Sequence, residues 1–175
     1  MALREKSETK IVSNSIGRSP SKWLIILFFL ARSAFPHTAI PRSPRIIIGK
    51  IDKVGVDRLI REMENPSIIV MMASWCAPCI KELPSLIKIY GKYRPLGLRM
   101  VGLSFEIGGP TAIQGILDRL KVNFPVYLAG EEILRAYNIS AIPMLFFIKN
   151  GQIVEKIIGN QTEEFLNGRI GEFLK

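Results

Sequence analysis

Short apolar runs and helical repeats alternate along the chain from about residue 45 onward. The continuous apolar runs are typical of strands that are buried on both faces, and apolar side chains at helical spacing between them indicate helices. Alternation of this kind predicts a mostly parallel sheet that is covered by helices on both faces. The predicted strands are 46–48, 68–73, 99–104 and 126–128, and the predicted helices are 57–64, 76–93, 111–121 and 131–137.

The last third of the chain carries a hairpin signal. Residues 144–149 and 152–158 flank Asn150-Gly151, a dipeptide that strongly favours a tight turn between two strands. A final helix is predicted from Thr162 onward. The hairpin adds an antiparallel pair, so we expect an α/β fold with a mixed, mostly parallel central sheet flanked by helices.

Residues 1–33 differ from the rest of the chain. A polar, basic segment precedes a nine-residue apolar run at 23–31. As a helix this run would be about 14 Å long, whereas the hydrocarbon core of a bilayer is about 30 Å thick. Its length suits the apolar region of a secretory signal. We therefore interpret residues 1–33 as a basic leader that is either cleaved before Ala34 or retained as a short membrane anchor.

Two further boundaries follow from composition. Residues 34–44 contain three prolines and are interpreted as a linker. Residues 45–175 have the length of one ordinary domain. A buried core helix is the alternative for 23–31, but that run has no polar face.

Most of the net charge of +9 lies in residues 1–45. Residues 1–45 hold eight basic and two acidic side chains, a net charge of +6. The other 130 residues hold 16 basic and 13 acidic side chains, a net charge of +3. This distribution indicates a mildly basic, solvated domain surface and predicts no nucleic-acid partner. Two cysteines and one histidine are also too few for a disulfide-dense scaffold or a multi-histidine metal site.

Both cysteines lie in Trp75-Cys76-Ala77-Pro78-Cys79, where a predicted buried strand ends and a helix begins. Two intervening residues in one helical turn bring the α-carbons to the spacing of about 5–6 Å that a disulfide needs. The helix dipole and the unpaired amides at the helix start would lower the pKa of the Cys76 thiol. We expect Cys76 to be the exposed nucleophile of thiol–disulfide exchange and Cys79 to be the resolving thiol.

Other roles for the pair are less consistent with the sequence. A structural disulfide would close too small a loop to constrain the unfolded chain much. A zinc site would need two further ligands, and the one histidine, His37, lies in the linker before the domain. We therefore expect no metal and no separate cofactor, because the Cys76–Cys79 pair is itself the redox centre. The absence of histidine between the cysteines favours a reductant over an oxidant.

The residues around this motif resemble the thioredoxin superfamily and, more narrowly, the exported thiol–disulfide oxidoreductases of the TlpA/ResA type. The resemblance covers roughly residues 45–175 and implies a thioredoxin-like fold. The stretches that carry it are 73–84, 90–93, 101–104, 122–126, 139–143 and 150–159.

The resemblance implies roles for four further residues. Pro143 matches the cis-proline that faces the cysteine pair, and the backbone of Ile142 would pair with the bound substrate. Trp75, which would shield one side of the active site, and Pro78 would also belong to the substrate-binding surface. The alternatives are an ordinary proline at a strand start for Pro143 and plain core packing for Trp75.

One position departs from the family pattern. Many thioredoxins carry a buried aspartate six residues before the first cysteine, and this chain has Val70 there. Glu106 is the candidate substitute for proton transfer, with a solvated loop acid as the alternative. Glu82, inside the helix, is expected to be a surface acid.

The resemblance also implies a biological setting. Such proteins reduce disulfides of extracytoplasmic proteins, including oxidised apocytochrome c, and a membrane thiol–disulfide carrier returns the electrons. We therefore expect disulfide-containing protein clients and a location in the periplasm or on the outer side of the cytoplasmic membrane. The alternatives are an oxidase or isomerase on the same fold, a non-catalytic binding module, and a thiol peroxidase.

Overall fold

The computed structural model describes residues 46–175. The predicted leader (1–33) and linker (34–44) lie outside the described residues, and so does the proposed anchor at 23–31. Among the helices of residues 46–175, none has the length and apolar character needed to cross a bilayer.

Strands and helices alternate through the described residues as the apolar pattern predicts. The elements in chain order are β1 (Ile47–Ile51), α1 (Lys53–Arg61), β2 (Ser67–Met72), α2 (Ala77–Tyr93), a 3-10 turn (Arg94–Leu96), β3 (Arg99–Ser104), α3 (Thr111–Leu120), β4 (Val126–Ala129), α4 (Glu131–Ala136), β5 (Met144–Lys149), β6 (Gln152–Ile158) and α5 (Glu163–Phe173).

Helix α1 begins four residues earlier than predicted. Asp52 is its N-cap, and its Oδ1 accepts a hydrogen bond of 2.8 Å from the backbone N–H of Gly55. This capping bond satisfies one of the unpaired amides at the helix start. The sequence did not predict this earlier start because Gly55 lies in the first turn and glycine is a poor helix former.

The sheet has the order β1-β4-β3-β2-β5-β6. Neighbours from β1 to β2 pair in parallel, whereas β5 pairs antiparallel with both β2 and β6. The predicted mixed, mostly parallel sheet is therefore confirmed. The register also brings the carboxyl ends of the four parallel strands, the start of β5 and the end of β6 to the same end of the sheet.

Two hydrophobic layers cover the sheet. Strand β2 is buried along its whole length, and its side chains alternate between the layers. Ile68, Val70 and Met72 pack with α2, α3 and α5, while Ile69 and Met71 pack on the face of α1 and α4. This burial on both faces holds β2, and hence the segment that follows it, in a fixed position.

Candidate redox site

Cys76 and Cys79 form a disulfide at the start of α2. The sulfur–sulfur distance is 2.03 Å and the α-carbons are 5.3 Å apart, within the spacing that the motif predicts. Cys76 is the N-cap of the helix, one residue before its first turn. The backbone N–H of Cys79 points at Cys76 Sγ over 3.2 Å. In the reduced protein this amide would stabilise a thiolate at Cys76.

The expected exposure of Cys76 is wrong for the disulfide form. Only 5% of Cys76 and 2% of Cys79 are accessible to solvent. Part of the cover is the backbone of the segment before β5, because the carbonyl oxygen of Ile142 lies 3.6 Å from Cys76 Sγ. A reaction partner must therefore reach the outer sulfur along a narrow approach.

The bond between Ile142 and Pro143 is cis, as the resemblance implies. Pro143 is buried directly before β5. The pairing of Met71 with Met144 brings this segment beside the end of β2, from which the cysteine motif continues. The two predicted residues therefore lie next to the disulfide.

Trp75 and Pro78 lie on the exposed side of the motif. The indole of Trp75 is 58% exposed, and its Nε1 donates a hydrogen bond of 3.0 Å to the carbonyl oxygen of Phe105. Core packing as the role of Trp75 is therefore wrong. Pro78 is exposed, and its carbonyl oxygen accepts a hydrogen bond of 3.2 Å from Asn160 Nδ2.

Glu106 joins the end of β3 to the segment before the cysteines. Its Oε1 accepts hydrogen bonds of 2.7 Å from the Ser74 backbone N–H and from Ser104 Oγ, and its Oε2 accepts one from Ser74 Oγ. The side chain is half-buried, so the freely solvated loop acid is wrong. These bonds give Glu106 a positioning role, and its role in proton transfer stays a prediction.

Glu82 corrects a further expectation, since it is 2% exposed and not on the surface. It follows Cys79 by three residues and faces the same layer of the core. Its Oε1 accepts a hydrogen bond of 2.7 Å from the Gln161 backbone N–H, while Oε2 has no hydrogen-bond partner among the described residues. Burial raises the pKa of the Glu82 carboxyl, and the Gln161 bond opposes that rise. The buried helical stripe through Cys79, Leu83 and Leu86 was the signal that could have placed Glu82 inside.

Residues 159–161, which connect β6 to α5, bind three parts of the site. The Gly159 N–H donates to the Pro143 carbonyl oxygen over 2.8 Å, Asn160 binds Pro78, and Gln161 binds Glu82. No local sequence pattern indicated these contacts, because the partners of Asn160 and Gln161 lie about 80 residues away along the chain.

Within residues 46–175, no group of three or more histidine, cysteine, aspartate or glutamate side chains is arranged to hold a metal ion. The chemistry that the described residues offer is that of a dithiol–disulfide pair with a buried carboxyl group one helical turn away.

Residues 49–157 match the sequence profile of the AhpC/TSA family. The chain belongs to the AhpC/TSA family. A ResA thiol-disulfide oxidoreductase of Bacillus cereus is 36% identical over 129 residues, which are 72% of this chain and 73% of the relative. With this relationship and its Cys76–Cys79 pair, the protein is a ResA-type thiol–disulfide oxidoreductase.

Two solved structures of thiol–disulfide proteins have the same fold as this chain. A thiol:disulfide interchange protein of Chlorobium tepidum superposes with a TM-score of 0.59 at 21% identity, over 68% of this chain and 85% of that one. StoA of Bacillus subtilis gives a TM-score of 0.54 at 24% identity, over 64% of this chain and 84% of that one. The predicted thioredoxin-like fold is confirmed.

Proposed function

We propose that this oxidoreductase acts as a reductase of protein disulfides outside the cytoplasm. The observation that carries the proposal is the disulfide at the tip of α2, with the Cys79 N–H directed at Cys76 Sγ. That arrangement favours a thiolate at the outer cysteine and keeps the second sulfur within bonding distance.

The exchange would start from the dithiol. The Cys76 thiolate attacks one sulfur of the client disulfide, a mixed disulfide forms, and the other client sulfur leaves as a thiolate that takes up a proton. Cys79 then loses its proton and attacks Cys76 Sγ, which releases the second client thiol and forms the Cys76–Cys79 disulfide. Two electrons pass to the client, and a thiol donor must return two electrons and two protons.

Two carboxyl groups compete as acceptors of the Cys79 proton. Three hydrogen bonds from Ser74 and Ser104 already occupy Glu106. Glu82 lies one helical turn beyond Cys79, has an oxygen without a hydrogen-bond partner among the described residues, and has a raised pKa. These observations favour Glu82 as the acceptor and Glu106 as a positioning residue.

A trapping experiment tests the exchange. Cys79→Ala should accumulate a mixed disulfide between Cys76 and an oxidised client protein, because no resolving thiol remains to release it. Cys76→Ala is the matched control and should trap nothing. If Cys79→Ala forms no adduct under conditions in which the wild-type protein is oxidised, the proposed exchange is wrong.

The direction of electron flow needs a separate measurement. The absence of histidine between Cys76 and Cys79 and the ResA relatives support a reductase. Titration of the pair against glutathione or dithiothreitol should give a potential near that of thioredoxin, about −270 mV. A value near −120 mV, that of a strong oxidant, would instead support the oxidase alternative.

An extracytoplasmic site with a membrane thiol–disulfide carrier as electron donor completes the proposal. The leader at 1–33, with its basic segment and apolar run, and the ResA relatives support this location. A membrane-impermeant alkylating reagent should label Cys76 of the reduced protein in intact cells. Labelling only after lysis would contradict this location.

A further inference from the structure

Ile107 is a large apolar side chain that the described fold leaves almost fully exposed, at 86%. The two residues before Ile107 are hydrogen-bonded to the residues before Cys76. The Phe105 carbonyl oxygen accepts a hydrogen bond from the Trp75 indole, and the Glu106 carboxylate accepts one from the Ser74 backbone N–H. Ile107 therefore directly follows two residues that bind the segment immediately before Cys76.

The backbone turns sharply directly after Ile107. Gly108 and Gly109 have φ angles of 92° and 104°, a region that favours glycine over other residues. Apart from the adjacent residues of the chain, an ideal Cβ at either glycine would have no heavy atom within 4 Å. The loop therefore presents Ile107 outward, and no neighbouring side chain closes over the turn.

A cleft of about 700 Å³ opens behind this loop, between its residues and the carboxyl ends of β1 and β4. Glu106 and Gly109, on either side of Ile107, both line it. Its volume lies within the range of about 300–1,000 Å³ that is usual for ligand sites. The ionisable groups of its lining are three carboxylates and one ammonium group, from Asp52, Glu106, Glu132 and Lys50.

A client must cover this region during the exchange. Its sulfur bonds covalently to Cys76, and transient redox encounters bury up to about 600 Å² on each partner. Trp75 directly precedes Cys76, and Ile107 directly follows the residues that bind Trp75 and Ser74. A client bonded to Cys76 is therefore expected to contact both Trp75 and Ile107. Because carboxylates are in excess in the cleft, the cleft favours a client segment that carries positive charge.

Resting on the proposed function, we propose that Ile107 and the cleft behind it form a client-recognition surface. This surface fits an extended client segment that carries an apolar residue next to its half-cystine and basic residues beyond it. The apolar residue packs on Ile107 and Trp75, and the basic side chains enter the cleft towards Glu132 and Asp52.

Three disulfide-linked peptides test this surface in the reduced full-length protein. The first carries leucine and then two lysines on both sides of its cysteine. The second has serine in place of leucine, and the third has glutamates in place of the lysines. The readout is the ratio of kcat/KM values between peptides for each enzyme, in which any change of the cysteines' own reactivity cancels.

The wild-type protein should prefer the leucine peptide to the serine peptide by about tenfold, the effect of one partly buried apolar anchor. Ile107→Ser should bring this ratio close to one. Leu96→Ser is the matched control, because Leu96 is also an exposed apolar residue but lies at the opposite end of the sheet. It should leave the wild-type ratio unchanged.

The lysine peptide should be preferred to the glutamate peptide by about threefold at low salt, the effect of exposed charges. Added salt should weaken this preference. Glu132→Lys should abolish it, while Glu64→Lys, an exposed acid before β2, should not.

The two levels of the proposal fail differently. If the wild-type protein reduces neither the peptides nor hydroxyethyl disulfide, a substrate too small to reach Ile107, the proposed function is wrong. If it reduces them all with ratios near one, or if Ile107→Ser keeps the wild-type ratio, only the recognition surface is wrong.

Discussion

Removal of the Glu106 carboxylate should destabilise the domain as well as the active site. Glu106→Ala would leave three donors without their acceptor, namely the Ser74 N–H, Ser74 Oγ and Ser104 Oγ. Ser104 is fully buried, so water cannot easily replace its partner. Ser74 is half-buried and can recover part of its hydrogen bonding from solvent.

The magnitude follows from these three bonds. A hydrogen bond to a charged group contributes about 1.5–3 kcal/mol when it is buried, and less when water can substitute. With the Ser104 bond counted in full and the Ser74 bonds discounted, Glu106→Ala should lower the free energy of unfolding by about 3 kcal/mol. For a domain of this size that corresponds to a fall in Tm of about 10 °C.

Urea unfolding of the oxidised proteins measures this loss. Glu106→Gln keeps one carbonyl acceptor and should lose about half as much. Glu64→Ala is the control for an exposed acid and should remain within about 0.5 kcal/mol of the wild-type protein. If Glu106→Ala also unfolds within that margin, the positioning role argued from its hydrogen bonds is refuted.

Three further predictions concern the buried acid, the outer thiol and the core. Burial raises the folded-state pKa of Glu82 above its unfolded value of 4.5, so the stability that this group contributes is full below pH 4.5 and is lost as pH rises through the folded-state pKa. Glu82→Gln should therefore gain stability relative to the wild-type protein as pH rises above 4.5 in urea titrations, and a pH-independent difference would contradict the assigned burial. In Cys79→Ala, the iodoacetamide reaction of Cys76 should show a midpoint below the ordinary thiol pKa of about 8.5, and a midpoint at or above it would exclude a stabilised thiolate. Phe147→Ala removes a ring that is 0% exposed and packs edge-to-face on Phe173, so unfolding should show a loss of about 3–5 kcal/mol, and a loss below 1 kcal/mol would mean that the core closes around the gap.

The sequence predicted those features whose signals are local. The apolar run before Trp75 predicted a strand buried on both faces, and Asn150-Gly151 predicted the hairpin between β5 and β6. The spacing of Cys76 and Cys79 predicted a pair within disulfide distance. The cis bond before Pro143 followed from family resemblance, because the residues themselves do not distinguish cis from trans.

Long-range contacts decided what the sequence could not predict. Glu82 is charged in isolation, and only the chain that returns at Gln161 makes its burial tolerable. Glu106 resembles a loop acid until the register of β2 and β3 brings Ser74 and Ser104 against it. The low exposure of Cys76 likewise depends on Ile142, which lies 66 residues away along the chain.

The parallel register has a consequence for how this enzyme can diverge. Segments 105–110, 141–143 and 159–161 all join the sheet at the end that carries the disulfide, yet none contributes a residue to a strand. Substitutions at exposed positions of these segments, such as Ile107 and Ala141, can therefore alter which proteins are processed while the scaffold keeps its stability, whereas Glu106 and Gln161 must be kept for their hydrogen bonds. New substrate ranges are accessible through changes at these exposed loop positions alone, with the two sulfurs left where they are.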